Sequence, residues 1–142
     1  DMASAQTGAT LSGSERFWAN TKPGQLFELL AYEQYANPIF VLDELDKVTG
    51  DARYDPFAPL YTLLEPSSAR NFADLSINDF SINASHLNWI ATANDLSSIP
   101  FPLQTRFTIV AISKPTEQQA AKIIMSIYTR LLSDSTWGGY FN

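Results

Sequence analysis

An apolar run that stops abruptly on two acids constrains this chain most: Pro38-Ile39-Phe40-Val41-Leu42-Asp43-Glu44. Ile39 to Leu42 shows no polar alternation. It therefore reads as a strand buried on both faces, as in parallel sheets. Acids placed directly after such a strand lie at its carboxyl end, where open α/β sheets bind ligands. Two carboxylates there suit a hydrated Mg²⁺ and an activated water. The plainer alternative is a strand followed by a polar loop.

The composition fits a folded domain. Hydrophobic residues make up 45% of the 142 residues and charged residues 17%, which is globular rather than disordered. A net charge of −6 gives no electrostatic reason to expect nucleic-acid binding. The chain has no cysteine and one histidine, His86. This excludes disulfides, thiolate zinc sites and a multi-histidine metal site within one chain. His86 itself reads as a polar loop residue. No apolar run is long enough to span a bilayer, and no basic segment leads into an apolar core near Asp1. A cytoplasmic location is expected, and Asp1 is expected to lie inside a longer protein.

Strands and helices alternate along the chain. Thr21-Lys22-Pro23-Gly24 opens a helix to about Tyr35, with Leu26, Phe27, Leu29 and Leu30 on its apolar face. Asn37-Pro38 stops it. Asp55-Pro56 starts a second helix carrying Leu60, Leu63 and Leu64, which ends before Pro66. Leu75, Ile77, Phe80 and Ile82 alternate with polar residues and predict two short strands or one bulged strand. Asn88 to Ala93 is another buried strand, ending in Asn94-Asp95. Pro100 and Pro102 frame a short turn of helix through Gln104, and Phe107 to Ile112 predicts a third apolar strand. Thr116-Glu117-Gln118-Gln119 forms a capping box for a last helix to Leu132. The order indicates an α/β layered fold.

The order of the polar residues at the strand ends is more specific than any one of them. One strand ends in Asp43-Glu44, a second in Asn94, and Arg106 stands just before a third. Around them lie Phe17-Trp18-Ala19-Asn20-Thr21-Lys22-Pro23-Gly24, Leu63-Leu64-Glu65-Pro66, Ile90-Ala91-Thr92-Ala93-Asn94 and Ile99-Pro100-Phe101-Pro102-Leu103-Gln104-Thr105-Arg106. Over roughly Ser12 to Leu132 the chain resembles the second half of an AAA+ ATPase module, and within that class the Lon protease family.

The resemblance implies a partial P-loop-type parallel sheet with flanking helices, truncated at its N-terminus. Residues 1–114 would be the C-terminal part of the large α/β subdomain, and 115–142 a helix leading towards the small helical lid. Asp43 matches the Walker B aspartate that holds Mg²⁺, and Glu44 the residue that polarises the attacking water. Asn94 matches sensor 1, which positions that water and the γ-phosphate. Arg106 matches the arginine finger that reaches a neighbouring subunit's nucleotide. Trp18, with Phe17, matches the aromatic pore loop that grips unfolded protein. For each residue the plainer alternative stands beside this: an Asx turn for Asn94, a solvated arginine for Arg106, and local packing for Trp18. Asp46 and Lys47 are expected to form a solvated helix start.

The implied function is the ATP-hydrolysing motor of a Lon-like ATP-dependent protease, working with ATP and Mg²⁺ on protein substrates in a homo-oligomeric, hexameric ring. A G-x-x-x-x-G-K-[ST] loop is absent from these residues, as is a Ser/Lys proteolytic domain. The 142 residues alone are therefore expected neither to bind and hydrolyse ATP nor to cut peptides. The family's sheet order is 5-1-4-3-2. Without strand 1, the strand at Phe107–Ile112 is expected to pair with that at Asn88–Ala93 or with another chain. Two alternatives stay open: a non-catalytic interaction module that keeps the fold, and a Mg²⁺-dependent phosphatase using the strand-end acids.

Overall fold

The computed structural model describes residues 2, 7–15, 21–49, 55–77 and 80–135. Its elements run α1 (Ala9–Ser12), α2 (Gln25–Tyr32), β1 (Ile39–Leu42), α3 (Ala58–Leu63), α4 (Pro66–Ala69), β2 (Phe72–Ala73), β3 (Ser81–Ile82), β4 (Asn88–Ala91), α5 (Phe101–Gln104) and α6 (Glu117–Asp134). Short 3₁₀ turns occupy Leu45–Lys47 and Leu96–Ser98. The chain divides into a larger unit, Asp1–Thr108, and a smaller one, Ile109–Asn142.

In the larger unit β1 and β4 pair in parallel, with Phe40 opposite Trp89 and Leu42 opposite Ala91. Side chains alternate across the pleat. Phe40, Leu42, Trp89 and Ala91 therefore share one face, and the Phe40 and Trp89 rings stack with centroids 5.0 Å apart. That face is packed. The other carries Ile39, Val41 and Ile90, which are 62%, 57% and 53% exposed. The expectation of strands buried on both faces is thus corrected. An unbroken apolar run reports two faces that avoid water, but among the described residues only one has a covering layer.

Two apolar clusters lie against the packed face. One gathers Leu11, Leu42, Leu45, Phe57, Leu60, Ile99 and Leu103; the other gathers Leu26, Leu63, Ala69, Phe72, Ala84 and Leu87. Helix α3 links them, because Leu60 and Leu63, three apart on one helical face, enter different clusters. Pro59 sits in its first turn, where its missing N–H costs nothing. Each fully buried leucine contributes on the order of 1.5–3 kcal/mol of burial energy. Leu45, 1% exposed, thereby fixes the turn that follows the acids.

Three further expectations are revised. Helix α2 begins after Gly24, which leaves Pro23 outside it, and ends at Tyr32 rather than Tyr35. Tyr32 and Tyr35 are 78% and 71% exposed, so no packing supports another turn, and a short helix is held mostly by packing. The short antiparallel pair comprises Phe72–Ala73 and Ser81–Ile82, with Phe72 opposite Ile82. Leu75 and Ile77 lie outside it because the Asp74 carboxylate takes the Ser76 N–H and hydroxyl and bends the chain. Residues 107–112 form no strand; Ile109, Val110 and Ile112 are 51%, 76% and 93% exposed. Among the described residues β4 pairs only with β1, and the expected third strand is absent from the elements. An apolar run becomes a strand only where a neighbour accepts its backbone hydrogen bonds.

The smaller unit holds α6. Thr116 Oγ1 accepts the Gln119 N–H while the Gln119 side chain accepts the Thr116 N–H, closing the expected capping box. The helix extends to Asp134, one turn's fraction beyond the expected Leu132. None of the described helices is long and apolar enough to cross a membrane.

Candidate active site

Parallel pairing brings the carboxyl ends of β1 and β4 to the same rim of the sheet. Asp43 and Glu44 follow Leu42, and Thr92 to Asn94 follow Ala91. Because Leu42 and Ala91 are opposite in register, the next pair across the rim is Asp43 and Thr92. The Thr92 hydroxyl donates to Asp43 Oδ1 at 2.6 Å and accepts the Glu44 N–H at 3.0 Å. The ladder continues through the Thr92 N–H to the Leu42 carbonyl and the Leu45 N–H to the Thr92 carbonyl. On the other side of β1, the Met2 N–H donates to the Asp43 carbonyl at 2.8 Å.

Glu44 has φ 56° and ψ 48°, a left-handed conformation found at no other non-glycine among the described residues. For an L-residue this costs about 1–2 kcal/mol. It turns the chain sharply off the strand into Leu45–Lys47, and the Lys47 N–H bonds back to the Glu44 carbonyl. Asp43 and Glu44 both remain exposed.

Asp46 departs from its expected solvated position: its side chain is 1% exposed. Neither carboxylate oxygen makes a hydrogen bond of good geometry, and Lys47 Nζ lies 3.5 Å away. Burial raises its pKa. The backbone N–H groups of Asn94 and of Asp46 itself, together with the Lys47 ammonium, outweigh that and hold it below the ordinary carboxylate value. Asp95 accepts the Ser97 N–H and hydroxyl, which hold its pKa down despite some desolvation.

Asn94 lies on this same rim, exposed, and its side-chain amide bonds to no described residue. Arg106, half-buried after α5, is placed against α3 instead: Nη1 donates to the Tyr61 carbonyl at 2.8 Å, and the guanidinium sits 5.8 Å from the Tyr61 ring centroid. Asp43, Glu44 and Asn94 thus follow the carboxyl ends of the two paired strands, while the Arg106 guanidinium is engaged with Tyr61. Phe17 and Trp18 lie outside the described residues. Thr92 and Asp46 are not singled out by residue type or motif. The clue for Thr92 was register: aligning the ends of the two apolar runs sets its hydroxyl beside Asp43.

The rim suits a magnesium–phosphate ligand. Mg²⁺ retains much of its water and takes one or two carboxylates plus phosphate oxygens rather than a protein cage. Asp43 supplies a hard oxygen whose neighbour is already fixed by Thr92, and among the described residues there is no three-ligand cluster that would indicate another metal. A cavity of about 680 Å³ lies elsewhere, lined by Gly8, Ser12, Glu15, Asp55, Pro59 and Leu75 among others. It includes none of the rim residues.

Known proteins share this arrangement of sequence. The family model described as "ATPase family associated with various cellular activities (AAA)" matches residues 4–114. The chain is 37% identical over 113 residues to a Lon protease of Bacillus thuringiensis, covering 80% of this chain and 14% of that protein. It is 37% identical over 114 residues to a Lon protease of Campylobacter jejuni, again 80% and 14%. With Lon protease 1 of Bacillus subtilis it shares 33% over 114 residues, 80% of this chain and 15% of that one. The chain thus spans about one seventh of the length of these relatives.

Proposed function

The chain belongs to the AAA family of ATPases and carries an AAA+ module of the Lon type, and from that premise we propose that it forms part of the Mg-ATP-hydrolysing motor of an ATP-dependent protease. The observation that supports this best is the shared rim: two acids, a hydroxyl and an exposed amide at the carboxyl ends of two paired parallel strands. ATP and Mg²⁺ are the implied ligands, and bound Mg²⁺ supplies charge neutralisation at the phosphates.

In this reading Asp43, oriented by Thr92, would hold the hydrated ion. Glu44 accepts a proton from the attacking water and aims it at the γ-phosphorus. Asn94 donates its amide to a γ-phosphate oxygen and holds the line of attack without adding charge. Arg106 leaves or extends from its contact on Tyr61 to meet the nucleotide of an adjacent subunit, where it stabilises charge in the transition state. Turnover drives protein substrate through a ring past Trp18 and Phe17. Residues 1–114 serve as the α/β part of the module, and 115–142 lead towards its lid. With no G-x-x-x-x-G-K-[ST] motif among them, the 142 residues by themselves are proposed to be inactive.

The test uses the complete protein that carries these residues. Glu44→Gln should abolish turnover while retaining nucleotide binding, and Arg106→Ala should lose turnover by about 10³-fold or more. Mixing the two inactive proteins should restore part of the activity, because each supplies what the other lacks across a subunit boundary. Turnover by Arg106→Ala alone at the wild-type rate would remove the guanidinium from its role.

A further inference from the structure

We propose that Thr92 is a positioning residue for hydrolysis, one hydroxyl that sets both acids at once; this rests on the ATPase reading above. A threonine hydroxyl carries a single proton. Here the proton goes to Asp43 Oδ1 at 2.6 Å, a short, charge-assisted bond, and a lone pair receives the Glu44 N–H at 3.0 Å. No described residue bonds Asp43 Oδ2. The first bond therefore fixes the carboxylate plane and presents one defined oxygen to a hydrated cation.

The second bond acts on the backbone. Glu44 is held in a left-handed conformation that L-residues rarely adopt. Its own N–H is secured by the Thr92 side chain, and the following N–H, of Leu45, by the Thr92 carbonyl. Thr92 thus grips the turn from both ends of one residue. The direction in which the Glu44 side chain leaves the rim follows from that turn. Relaxing it would misdirect the base without touching the water or the nucleotide. Thr92 itself is exposed, so replacing its hydroxyl by a methyl opens no hole in the core.

The pair Thr92→Val and Thr92→Ser separates this role from a structural one in the complete protein. Valine keeps the shape and loses both hydrogen bonds; serine keeps both. Thr92→Val should lower kcat by about tenfold or more with KM for Mg-ATP changed by less than about threefold, and Thr92→Ser should restore kcat to within about threefold of wild type. Wild-type-like kcat in Thr92→Val, or equal loss in both variants, would overturn the proposal. A crystal structure of nucleotide-free Thr92→Val gives a readout independent of turnover: Glu44 should leave the left-handed region, and an unchanged Glu44 backbone would refute the role. Should the wild-type protein turn over no ATP, the ATPase reading fails, and the Glu44 backbone still decides whether Thr92 holds the turn.

Discussion

Two buried aspartates, Asp74 and Asp46, stand at turns of the larger unit. Asp74 is 1% exposed and accepts the Gly24 N–H at 2.7 Å as well as the Ser76 N–H and hydroxyl. Gly13, at φ 78°, comes so close that a Cβ there would fall 2.1 Å from Asp74 Oδ1. Asp74 therefore meets both ends of the segment between Gly13 and Gly24. Replacing it with alanine strands the buried Gly24 N–H, and should cost about 1–3 kcal/mol in chemical denaturation. Asp46 gives a pH signature. Its folded pKa lies below the ordinary 3.8, so the folded state favours the ionised form. The associated stability is complete above the ordinary value and is lost as pH falls through the depressed one. Asp46→Asn should then be less stable than wild type at neutral pH, and the gap in Tm should close on acidification below about 4. Neither aspartate declared itself in the sequence. Each depends on what the fold brings within reach, Gly24 from a distant loop or Asn94 from the turn after the other strand, and residue type alone carries no such information.

Elements were legible to the extent that their causes are local. The capping box at Thr116 needs only four residues, and α6 begins where it says. Thr116→Ala should remove that cap and cost about 0.5–2 kcal/mol of helix stability, read as lost helical circular dichroism. The first apolar strand and its acids were legible for a similar reason, since a run of four β-favouring residues bounded by a proline and two acids admits few alternatives. Strands that rely on partners were not. Residues 107–112 have the composition of a strand and form none, and Leu75 loses its strand position to an aspartate turn. The one-sided burial of β1 was also illegible, because sequence reports apolarity and only packing reports what covers it. Arg106 illustrates the same limit at the site: its place before an apolar run was readable, its seat on Tyr61 was not.

At the scale of the molecule, the larger unit is organised around its rim. Leu45, Leu60 and Leu103, all 0–1% exposed, anchor the turn after the acids, the helix that seats Arg106, and the short helix before Arg106. Packing thereby fixes the chain on which each candidate group stands, while the acids and the amide stay exposed. The central claim is that this rim hydrolyses ATP through Glu44. The most direct measurement is steady-state ATPase activity of Glu44→Gln in the complete protein, alongside equilibrium binding of Mg-ATP. The amide keeps size and polarity but cannot accept the water's proton, so turnover should fall by at least about 100-fold with binding retained. Turnover within about threefold of wild type would contradict the account.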